Sequence, residues 1–445
     1  MMRTLLFVAV LAASTAGVAF AQAPAPPIPA TVAGHWEGEL VQQGQALPIR
    51  FDFVGDAAAP NGRFSAERWA VMDYPLSGLT AEGAHIRFGM GDTALDGTLA
   101  GDTLSGAFKG DDGAGTFTLR RTRARPLPYR EIAVSFRNGD VVLSGTLAMP
   151  TTPGRHPAVV FSHGSGPESR WGTSRYVADR FARAGIAALV YDKRGSGQSG
   201  GDWRKAGYED LARDLLAGMA LLAARGDVDS RRIGVLGHSE GGIVTPVAAR
   251  LAPDRIAFLI AEDAPAQRLR DQDLYRVGKD ITAQDWSPDD KAKALADYRL
   301  FLDAASGDGP YEAFAAAAAR DRDRPWFQYL GLPLKPHWVW DWYAVRAHLD
   351  TGTLWPKLRL PVLLVYGEHD QLMPVPETVR RIEDALDATG APYTALIAPR
   401  AEHNLTVRPQ PGEPFFWWRQ APGLNDALVA WVARCTAPDG ACVTP

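Results

Sequence analysis

The sequence predicts an α/β fold, with a mostly parallel sheet flanked by helices, joined to a small all-β domain. From about residue 126 onward, apolar strand-like segments alternate with segments that have helical spacing of apolar residues. Over residues 31–125, short segments of alternating polarity are separated by Gly, Asp and Asn at intervals of about ten residues. A helical stretch at about 266–356 interrupts the α/β alternation, and we interpret it as an insertion.

The composition is that of a globular protein with more than one domain. The chain has 445 residues, of which 46% are hydrophobic and 22% are charged, and its net charge is −4. This length predicts two or three domains, and the apolar content suffices for a large core. The small negative charge, without a cluster of Lys and Arg, argues against a nucleic-acid partner.

The first residues have the pattern of a secretory signal peptide. Arg3 supplies a positive charge, an apolar run begins at Leu5, and Ala19 and Ala21 flank Phe20. We expect cleavage after Ala21. A membrane anchor is disfavoured because the apolar run is short and is interrupted by small polar residues.

Export to the periplasm or the medium follows from this pattern. Residues 1–21 are the predicted signal peptide, residues 22–30 are an extended Pro/Ala leader, and no membrane span is expected after cleavage. In an oxidising compartment the two cysteines, Cys435 and Cys442, are expected to form a disulfide. A metal site is disfavoured, because two thiols without a nearby histidine fall short of the four ligands that zinc takes.

The all-β domain at residues 31–125 is predicted to be a small barrel or a sandwich. Its opening segment, GHWEGEL at residues 34–40, and its number of strands resemble lipocalin-type modules. The two architectures stay open, and no role for this domain follows from the sequence.

The α/β domain, residues 126–445, begins after a basic, Pro-containing hinge. Its predicted strands are, in order, REIAVSF, VVLSGTLAMP, HPAVVFS, IAALVYD, RRIGVLGH, IAFLIAE, LRLPVLLVYG and PYTALIAP, of which the first two form a hairpin. Its predicted helices are SRYVADRFARAG, YEDLARDLLAGMALLAAR, GGIVTPVAARLA, VPETVRRIEDALDAT and LNDALVAWVAR.

The insertion at about 266–356 is helical and rich in aromatic residues. Because it is bracketed by strands whose carboxyl ends are where α/β sheets bind ligands, we expect it to be a lid over a site. Trp338 and Trp342 are expected to face a substrate. More than half of the other aromatic side chains are expected to pack the insertion onto the core.

The segment Gly237-His238-Ser239-Glu240-Gly241 lies between a predicted strand and a predicted helix, and it fits G-x-S-x-G. In that context the serine occupies a sharp, strained turn, and the flanking glycines remove side chains that would clash. The following helix directs its N-terminal amides toward the hydroxyl. His238 is expected to point away from the serine into packing.

A serine hydroxyl needs a base, which is itself oriented by an acid. In this arrangement the acid and then the histidine follow the serine along the chain, each at the end of a later strand. Asp370 follows the strand LRLPVLLVYG, and His403 follows the last strand. Asp263, which follows the strand after the serine, is the alternative acid.

An oxyanion that forms next to Ser239 requires two hydrogen-bond donors. One is expected to be the backbone N–H of Glu240, and the other comes from the loop SHGSGP, from Ser165 or alternatively from Gly164. His163 is expected to shape this loop by bonding to the backbone. The loop DKRGSGQSGG is interpreted as a packing turn, because it lacks the phosphate-binding pattern.

These motifs resemble the α/β-hydrolase superfamily over about residues 127–434. HGSGP, GHSEGG and DKRGSGQSGG are similar to bacterial carboxylesterases that carry an extra N-terminal domain, and more loosely to prolyl-oligopeptidase-type serine peptidases. The resemblance implies that Ser239, Asp370 and His403 form a catalytic triad, with Glu240 and the HGSG loop as the oxyanion hole.

The sequence therefore predicts an exported serine hydrolase that cleaves carboxylic esters, with short acyl groups, through an acyl-enzyme. A peptidase or amidase of the prolyl-oligopeptidase type is the alternative, although residues 31–125 are too few for the large N-terminal domain of those enzymes. A catalytically silent binding protein is disfavoured by the order of the triad residues. The expected partner is a small ester, no cofactor or metal is implied, and the oligomeric state stays open.

Overall fold

The structure is a computed structural model that describes residues 28–56, 59–437 and 442. The predicted signal peptide (1–21) and the leader up to residue 27 lie outside the described residues. Within the described part, no helix is long and apolar enough to cross a membrane.

The first part of the chain forms one antiparallel sheet of nine strands. They are β1 (Gly34–Gln42), β2 (Gln45–Phe53), β3 (Arg63–Ala66), β4 (Val71–Pro75), β5 (Ser77–Glu82), β6 (His85–Met90), β7 (Thr93–Ala100), β8 (Thr103–Gly110) and β9 (Gly113–Thr122). Their order is β4-β3-β2-β1-β9-β8-β7-β6-β5. A sandwich would need two sheets, so this alternative is wrong; no ladder between β4 and β5 closes a barrel in the described residues.

The interior of this nine-stranded sheet is filled by aromatic side chains. Alternate residues of each strand point inward, as the period of two in a β-strand requires. Trp36 and Phe51 are fully buried, and the ring of Phe88 meets those of Phe51 and Phe53 edge to face, at centroid distances of 5.2 Å. The curled sheet therefore encloses a packed core.

The second sheet has eight strands in the order β10-β11-β13-β12-β14-β15-β16-β17. They are β10 (Tyr129–Asn138), β11 (Val141–Pro150), β12 (His156–Ser162), β13 (Ala187–Tyr191), β14 (Val228–His238), β15 (Leu259–Glu262), β16 (Val362–Gly367) and β17 (Tyr393–Ala398). The hairpin β10–β11 is antiparallel, β11 is antiparallel to β13, and the remaining pairs are parallel. This is the mostly parallel sheet that the sequence predicts.

Helices cover both faces of this sheet. They are α1 (Thr173–Arg183), α2 (Tyr208–Ala223), α3 (Glu240–Leu251), α9 (Val375–Asp387) and α10 (Leu424–Cys435). Successive residues of β12 point to opposite faces, so Val160 packs in one core with Leu215 of α2, while Val159 packs in the other with Phe181 of α1. Burial on both faces is the reason that these strands are apolar throughout.

A helical insertion lies between β15 and β16. It contains α4 (Leu269–Ala283), α5 (Pro288–Ser306), α6 (Tyr311–Asp321), α7 (Pro325–Leu330) and α8 (Trp338–Ala344), followed by 3-10 turns at Thr351–Thr353 and Trp355–Lys357. The ring of Phe301 contacts the rings of Phe314, Trp340 and Tyr343 at centroid distances of 5.5, 5.3 and 5.8 Å. The insertion thus has an aromatic core of its own.

A short two-stranded sheet, β18 (Thr406–Val407) with β19 (Arg419–Gln420), precedes α10. After α10, Cys435 and Cys442 are joined by a disulfide.

The disulfide joins cysteines seven positions apart, so it is expected to stabilise the protein less than a disulfide that closes a long loop. The loop-entropy relation gives about 2.5 kcal/mol for such a loop. We expect Cys442→Ser to lower the free energy of unfolding by no more than this amount, as measured by urea denaturation. The wild type unfolded in dithiothreitol is the control and should give the same value. A loss well above about 4 kcal/mol would contradict the entropic account.

Candidate active site

Ser239 lies in a strained turn between β14 and α3, with φ 55° and ψ −115°. Side chains rarely tolerate this region of backbone conformation. Its N–H donates to the carbonyl of Glu262 at 2.8 Å. A Cβ on Gly237 would lie 2.1 Å from the carbonyl oxygen of Gly241, and one on Gly241 would lie 2.3 Å from that of Ser162. Only glycine fits at both positions of this turn.

A continuous chain of hydrogen bonds joins Ser239, His403 and Asp370. His403 Nε2 lies 2.9 Å from Ser239 Oγ, and His403 Nδ1 lies 2.8 Å from Asp370 Oδ2. Asp370 Oδ1 accepts a further bond from the N–H of Leu372 at 2.7 Å. When Nδ1–H donates to the carboxylate, the lone pair of Nε2 is left to accept the serine proton.

Asp263, the alternative acid, lies beside this chain but does not join it. It is fully buried, its φ is 46°, and its Oδ1 accepts the N–H of Gly367 at 3.0 Å. Among the described residues, its Oδ2 has no hydrogen-bond partner. Burial, followed by the charge of Asp370, raises the pKa of Asp263 well above its ordinary value. The imidazole of His403 therefore meets Asp370.

Asp263, Asp370 and His403 each offer a metal-ligating atom, and these atoms lie within 4.8 Å of one another. The histidine and Asp370, however, bind each other at 2.8 Å through the atoms that a cation would need. The hydrogen bonds from Ser239 through His403 to Asp370 thus explain why these groups lie close together, without a metal ion.

The loop after β12 presents two candidate backbone donors. The N–H of Gly164 is already engaged, since it donates to the carboxylate of Glu168 at 3.1 Å. Ser165 lines the pocket in front of Ser239. Of the two residues that the sequence left open, Ser165 is the one whose N–H has no protein acceptor among the described hydrogen bonds.

The carboxylate of Glu240 is bound by two buried cations. Lys193 Nζ lies 2.5 Å from its Oε2, and Arg346 Nε lies 2.9 Å from its Oε1. Lys193 also donates to the carbonyl of Gly164 at 2.7 Å, and Arg346 donates to that of Trp203 at 3.0 Å. Burial alone would raise the pKa of Glu240, but the two positive charges lower it below its ordinary value. This carboxylate is therefore charged and fully compensated.

Two further histidines flank the site. The ring of His238 lies 5.3 Å from that of His403, and its Nε2 bonds to Asn404 Oδ1 at 3.2 Å. His238 is thus packed against the segment that carries His403, because the end of β14 runs beside that segment. Burial lowers the pKa of His238 to about 3. His163 bonds through Nε2 to the backbone carbonyl of Tyr191, as expected.

A cavity of about 490 Å³, part of which is open to solvent, lies in front of Ser239. Its lining, apart from the residues of the serine turn and Ser165, is Tyr208, Ile243, Pro265, Leu269, Gln272, Asp273, Arg276, Trp342 and Leu372. Trp342 thus lies where the sequence places it. Trp338 does not line the cavity and packs on Trp203 at a ring distance of 5.2 Å, because the start of α8 faces that side chain.

Sequence reasoning missed the charged residues around this cavity. Lys193 directly follows a buried strand, which places its side chain at the carboxyl edge of the sheet. Arg346 stands in the apolar stretch WYAVRAH, where a buried cation signals a buried anion. Asp273 and Arg276 are three residues apart, so they share one face of a helix. These sequence features indicate buried charged residues, but they do not predict which residue each one pairs with.

Comparison with known proteins connects the chain to hydrolases. Residues 171–302 match the prolyl oligopeptidase family. A monoacylglycerol lipase of Mycolicibacterium smegmatis is 30% identical over 236 residues, which are 50% of this chain and 74% of the relative. The esterase EstD of Thermotoga maritima is 29% identical over 172 residues, 36% of this chain and 41% of that protein. The quorum-quenching protein AidA of Acinetobacter baumannii is 33% identical over 138 residues, 31% of this chain and 44% of that protein. The chain spans less than half the length of the last two relatives.

Glu262, at the end of β15, is expected to make stability depend on pH. It is 8% exposed, and burial raises its pKa from 4.5 to about 7. Between these values the folded protein keeps a proton that the unfolded chain releases. The contribution of protonated Glu262 to the free energy of unfolding is therefore fully present below about pH 4.5 and is lost as the pH rises through 7. Glu262→Gln removes this titrating group and with it this pH dependence of stability.

We expect the free energy of unfolding of Glu262→Gln, minus that of the wild type, to rise by about 2–3 kcal/mol between pH 5 and pH 8. Urea denaturation at the two pH values measures this rise. The lowered pKa of the neighbouring His238 makes stability increase with pH, and subtracting the wild-type value removes that effect from the comparison. Glu39→Gln, at an exposed position of β1, is the control and should show no rise. Equal slopes for both variants would refute the assignment.

Proposed function

Because this chain belongs to the α/β-hydrolase family, we propose that it is a serine hydrolase that cleaves carboxylic esters. The observation that carries the proposal is the hydrogen-bonded chain from Ser239 through His403 to Asp370, which opens onto a cavity. The esterase and the lipase among the relatives support an ester as substrate.

The proposed reaction proceeds through an acyl-enzyme. Ser239 Oγ attacks the carbonyl carbon while its proton passes to His403 Nε2, and the carbonyl oxygen becomes an oxyanion that the N–H groups of Glu240 and Ser165 stabilise. The bond to the alcohol then breaks, and Nε2–H protonates the departing oxygen. Water repeats the sequence on the acyl-enzyme and releases the acid. Asp370 holds the imidazole tautomer and stabilises its cation.

A peptidase is the second candidate, and the match of residues 171–302 to the prolyl oligopeptidase family favours it. An exopeptidase needs an acidic side chain for the substrate amine. The carboxylate of Glu240 is taken up by Lys193 and Arg346, and that of Glu368 is half exposed and accepts the N–H of Arg400. Glu240 is therefore occupied, and Asp273, the other carboxylate at the cavity, is paired with Arg276, which supports ester cleavage.

We assign the helical insertion at about 266–356 the role of a lid, because Leu269 of α4 and Trp342 of α8 form part of the cavity wall. The modest cavity supports short acyl groups. We also propose two domains, residues 31–125 and 126–445, since the two large sheets share no strand. The N-terminal sequence pattern and the disulfide support export to the periplasm or the medium.

Ser239→Ala is expected to lower kcat on p-nitrophenyl butyrate by about 10⁴–10⁶-fold, because no other group replaces the nucleophile. Asp370→Asn is expected to cost about 10⁴-fold. Asp263→Asn, its matched control, should cost less than about tenfold, because Asp263 does not bond to His403 and its raised pKa favours the neutral form. Steady-state kinetics on short esters and on aminoacyl anilides measures all three and separates esterase from peptidase.

The enzymatic proposal fails if Ser239→Ala retains the hydrolysis of all these substrates. A fluorophosphonate reagent should label Ser239 in the folded wild type and leave the variant unlabelled. Absence of labelling in the wild type would favour the binding-protein alternative.

A further inference from the structure

The cavity in front of Ser239 has a polar end, built by one face of helix α4. Leu269, Gln272, Asp273 and Arg276 stand at positions i, i+3, i+4 and i+7 of this helix, which share a face, and all four line the cavity. Tyr208 of α2 lines it as well. The insertion therefore presents polar groups, and few aromatic ones, to the space beside the serine.

The charges at this end are paired with one another. Arg276 Nε lies 3.3 Å from Asp273 Oδ1, and Arg276 Nη1 lies 3.7 Å from Asp280 Oδ2. The carboxylate of Glu240, on another wall, is compensated by its two cations. Asp273 is 9% exposed, so the cavity is one of its few routes to a polar partner. A group that enters this end therefore meets a hydrogen-bond donor and an acceptor together.

We propose that Gln272, Asp273 and Arg276 form a subsite for a neutral hydroxyl group of the substrate, an inference that rests on the proposed ester hydrolysis. A hydroxyl both donates to a carboxylate and accepts from a guanidinium or amide. An alkyl chain would offer these polar groups no hydrogen bond in place of solvent, which is costly. A carboxylate or an ammonium would have to compete with the existing Asp273–Arg276 ion pair for its counter-charge, whereas a hydroxyl would not.

Isosteric ester pairs test this subsite and tell which part of the substrate carries the hydroxyl. Ethyl 3-hydroxypropanoate is compared with ethyl butanoate for the acyl part, and 2-hydroxyethyl acetate with propyl acetate for the alcohol part, each with homologues longer by one or two methylenes. Hydrolysis is followed by titration at constant pH. We expect kcat/KM of the wild type to be about tenfold higher for the hydroxylated member in one of the two series.

The double variant Asp273→Leu/Arg276→Met removes both charges at once and avoids a buried unpaired ion. It should abolish the preference by slowing only the hydroxylated esters, with the alkyl esters within about threefold of wild type. Asp273→Asn serves if the double variant does not fold, and Asp271→Asn, exposed on the same helix, is the control that keeps the preference. Equal rates within every pair, or a preference that these variants keep, would overturn the subsite. Failure of the proposed function would differ, since the wild type would then hydrolyse no ester.

A second inference rests on a separate observation, a tryptophan from the α/β part inside the nine-stranded sheet. Trp417 is 4% exposed, its ring lies 5.7 Å from that of Trp69 and 6.0 Å from that of Phe108, and its Nε1–H donates to the carbonyl of Gln45 at 2.9 Å. The neighbouring Trp418 stacks on Trp69 at 4.8 Å. The interior of the sheet is filled by this side chain together with its own aromatic residues.

The loop that carries this tryptophan starts beside His403. Strands β18 and β19 pair at its base, so the residues between them form a closed excursion toward the nine-stranded sheet. The N–H of Glu402 donates to the carbonyl of Thr406 at 2.8 Å. Arg408 binds the Glu402 carboxylate at 3.4 Å and Asp112, in the turn between β8 and β9, also at 3.4 Å.

We infer that the nine-stranded sheet positions His403 through this loop, with Trp417 as the main positioning residue. On its other side, the segment is held by the bond between His238 and Asn404. The imidazole has to keep two short contacts, at 2.8 and 2.9 Å, so a displacement of about 1 Å would cost roughly 10²-fold in rate. This inference also rests on the proposed ester hydrolysis.

Trp417→Ala is expected to lower kcat on p-nitrophenyl butyrate by about 10–100-fold with KM within about threefold, and to slow fluorophosphonate labelling of Ser239 to the same extent. Trp417→Phe should restore most of the rate. Phe88→Leu is the matched control, since it loosens the same aromatic core but its ring contacts are Phe51, Phe53 and Phe117 and not the loop; its kcat should stay near that of the wild type. Circular dichroism and thermal unfolding verify the fold of each variant.

A folded Trp417→Ala variant with the labelling rate and kcat of the wild type would overturn the inference, and so would an equal loss in Phe88→Leu. If Trp417→Ala does not fold, Arg408→Met breaks the links to Asp112 and Glu402 at a half-buried site and should give a smaller fall in kcat. If Arg408→Met then has the kcat of the wild type, the inference is overturned. A wild type that neither hydrolyses the ester nor reacts with the reagent would instead contradict the proposed function.

Discussion

The ion pair of Glu240 with Lys193 and Arg346 is the interaction on which the site depends. Glu240 follows Ser239, Lys193 follows β13 and reaches the carbonyl of Gly164, and Arg346 comes from the insertion. Removing one partner from such a buried pair typically costs about 3–5 kcal/mol, because the other charge is left uncompensated. The serine turn, the loop after β12 and the insertion are therefore fixed relative to one another, and none can shift without breaking a buried charge pair.

Two adjacent carboxyl groups at the same site differ in their hydrogen bonds. Asp370 accepts from His403 and from the N–H of Leu372, whereas Asp263 accepts only from Gly367. Burial, together with the nearby charge of Asp370, raises the pKa of Asp263, so a second negative charge beside Asp370 is disfavoured. Asp370, rather than Asp263, therefore binds the imidazole.

Local patterns in the sequence predict the alternation of strands and helices, the serine turn, and the chain order of Ser239, Asp370 and His403. Each depends on neighbours in sequence or on the fixed topology of a parallel sheet. The pairing of Arg346 with Glu240 spans 106 positions, and that of Trp417 with Gln45 spans 372, so only tertiary packing creates them. The contacts of His238 with His403 and Asn404 are of the same long-range kind. The single curled sheet could not be predicted either, because the spacing of the strands along the sequence does not distinguish it from a sandwich.

The aromatic content of the insertion was a poor guide to the cavity, and the cause is physical. Helices that leave the main sheet cannot share its core, so they must bury an apolar core of their own. Phe301, Phe314 and Trp340 meet this need, and all three are at most 6% exposed. The face of α4 that remains for the cavity is then polar, with Asp273 and Arg276. The chemistry that the insertion presents to the cavity is therefore set by the residues that do not pack in its own core, such as Asp273 and Arg276. Its aromatic side chains, although more abundant, mostly fill that core.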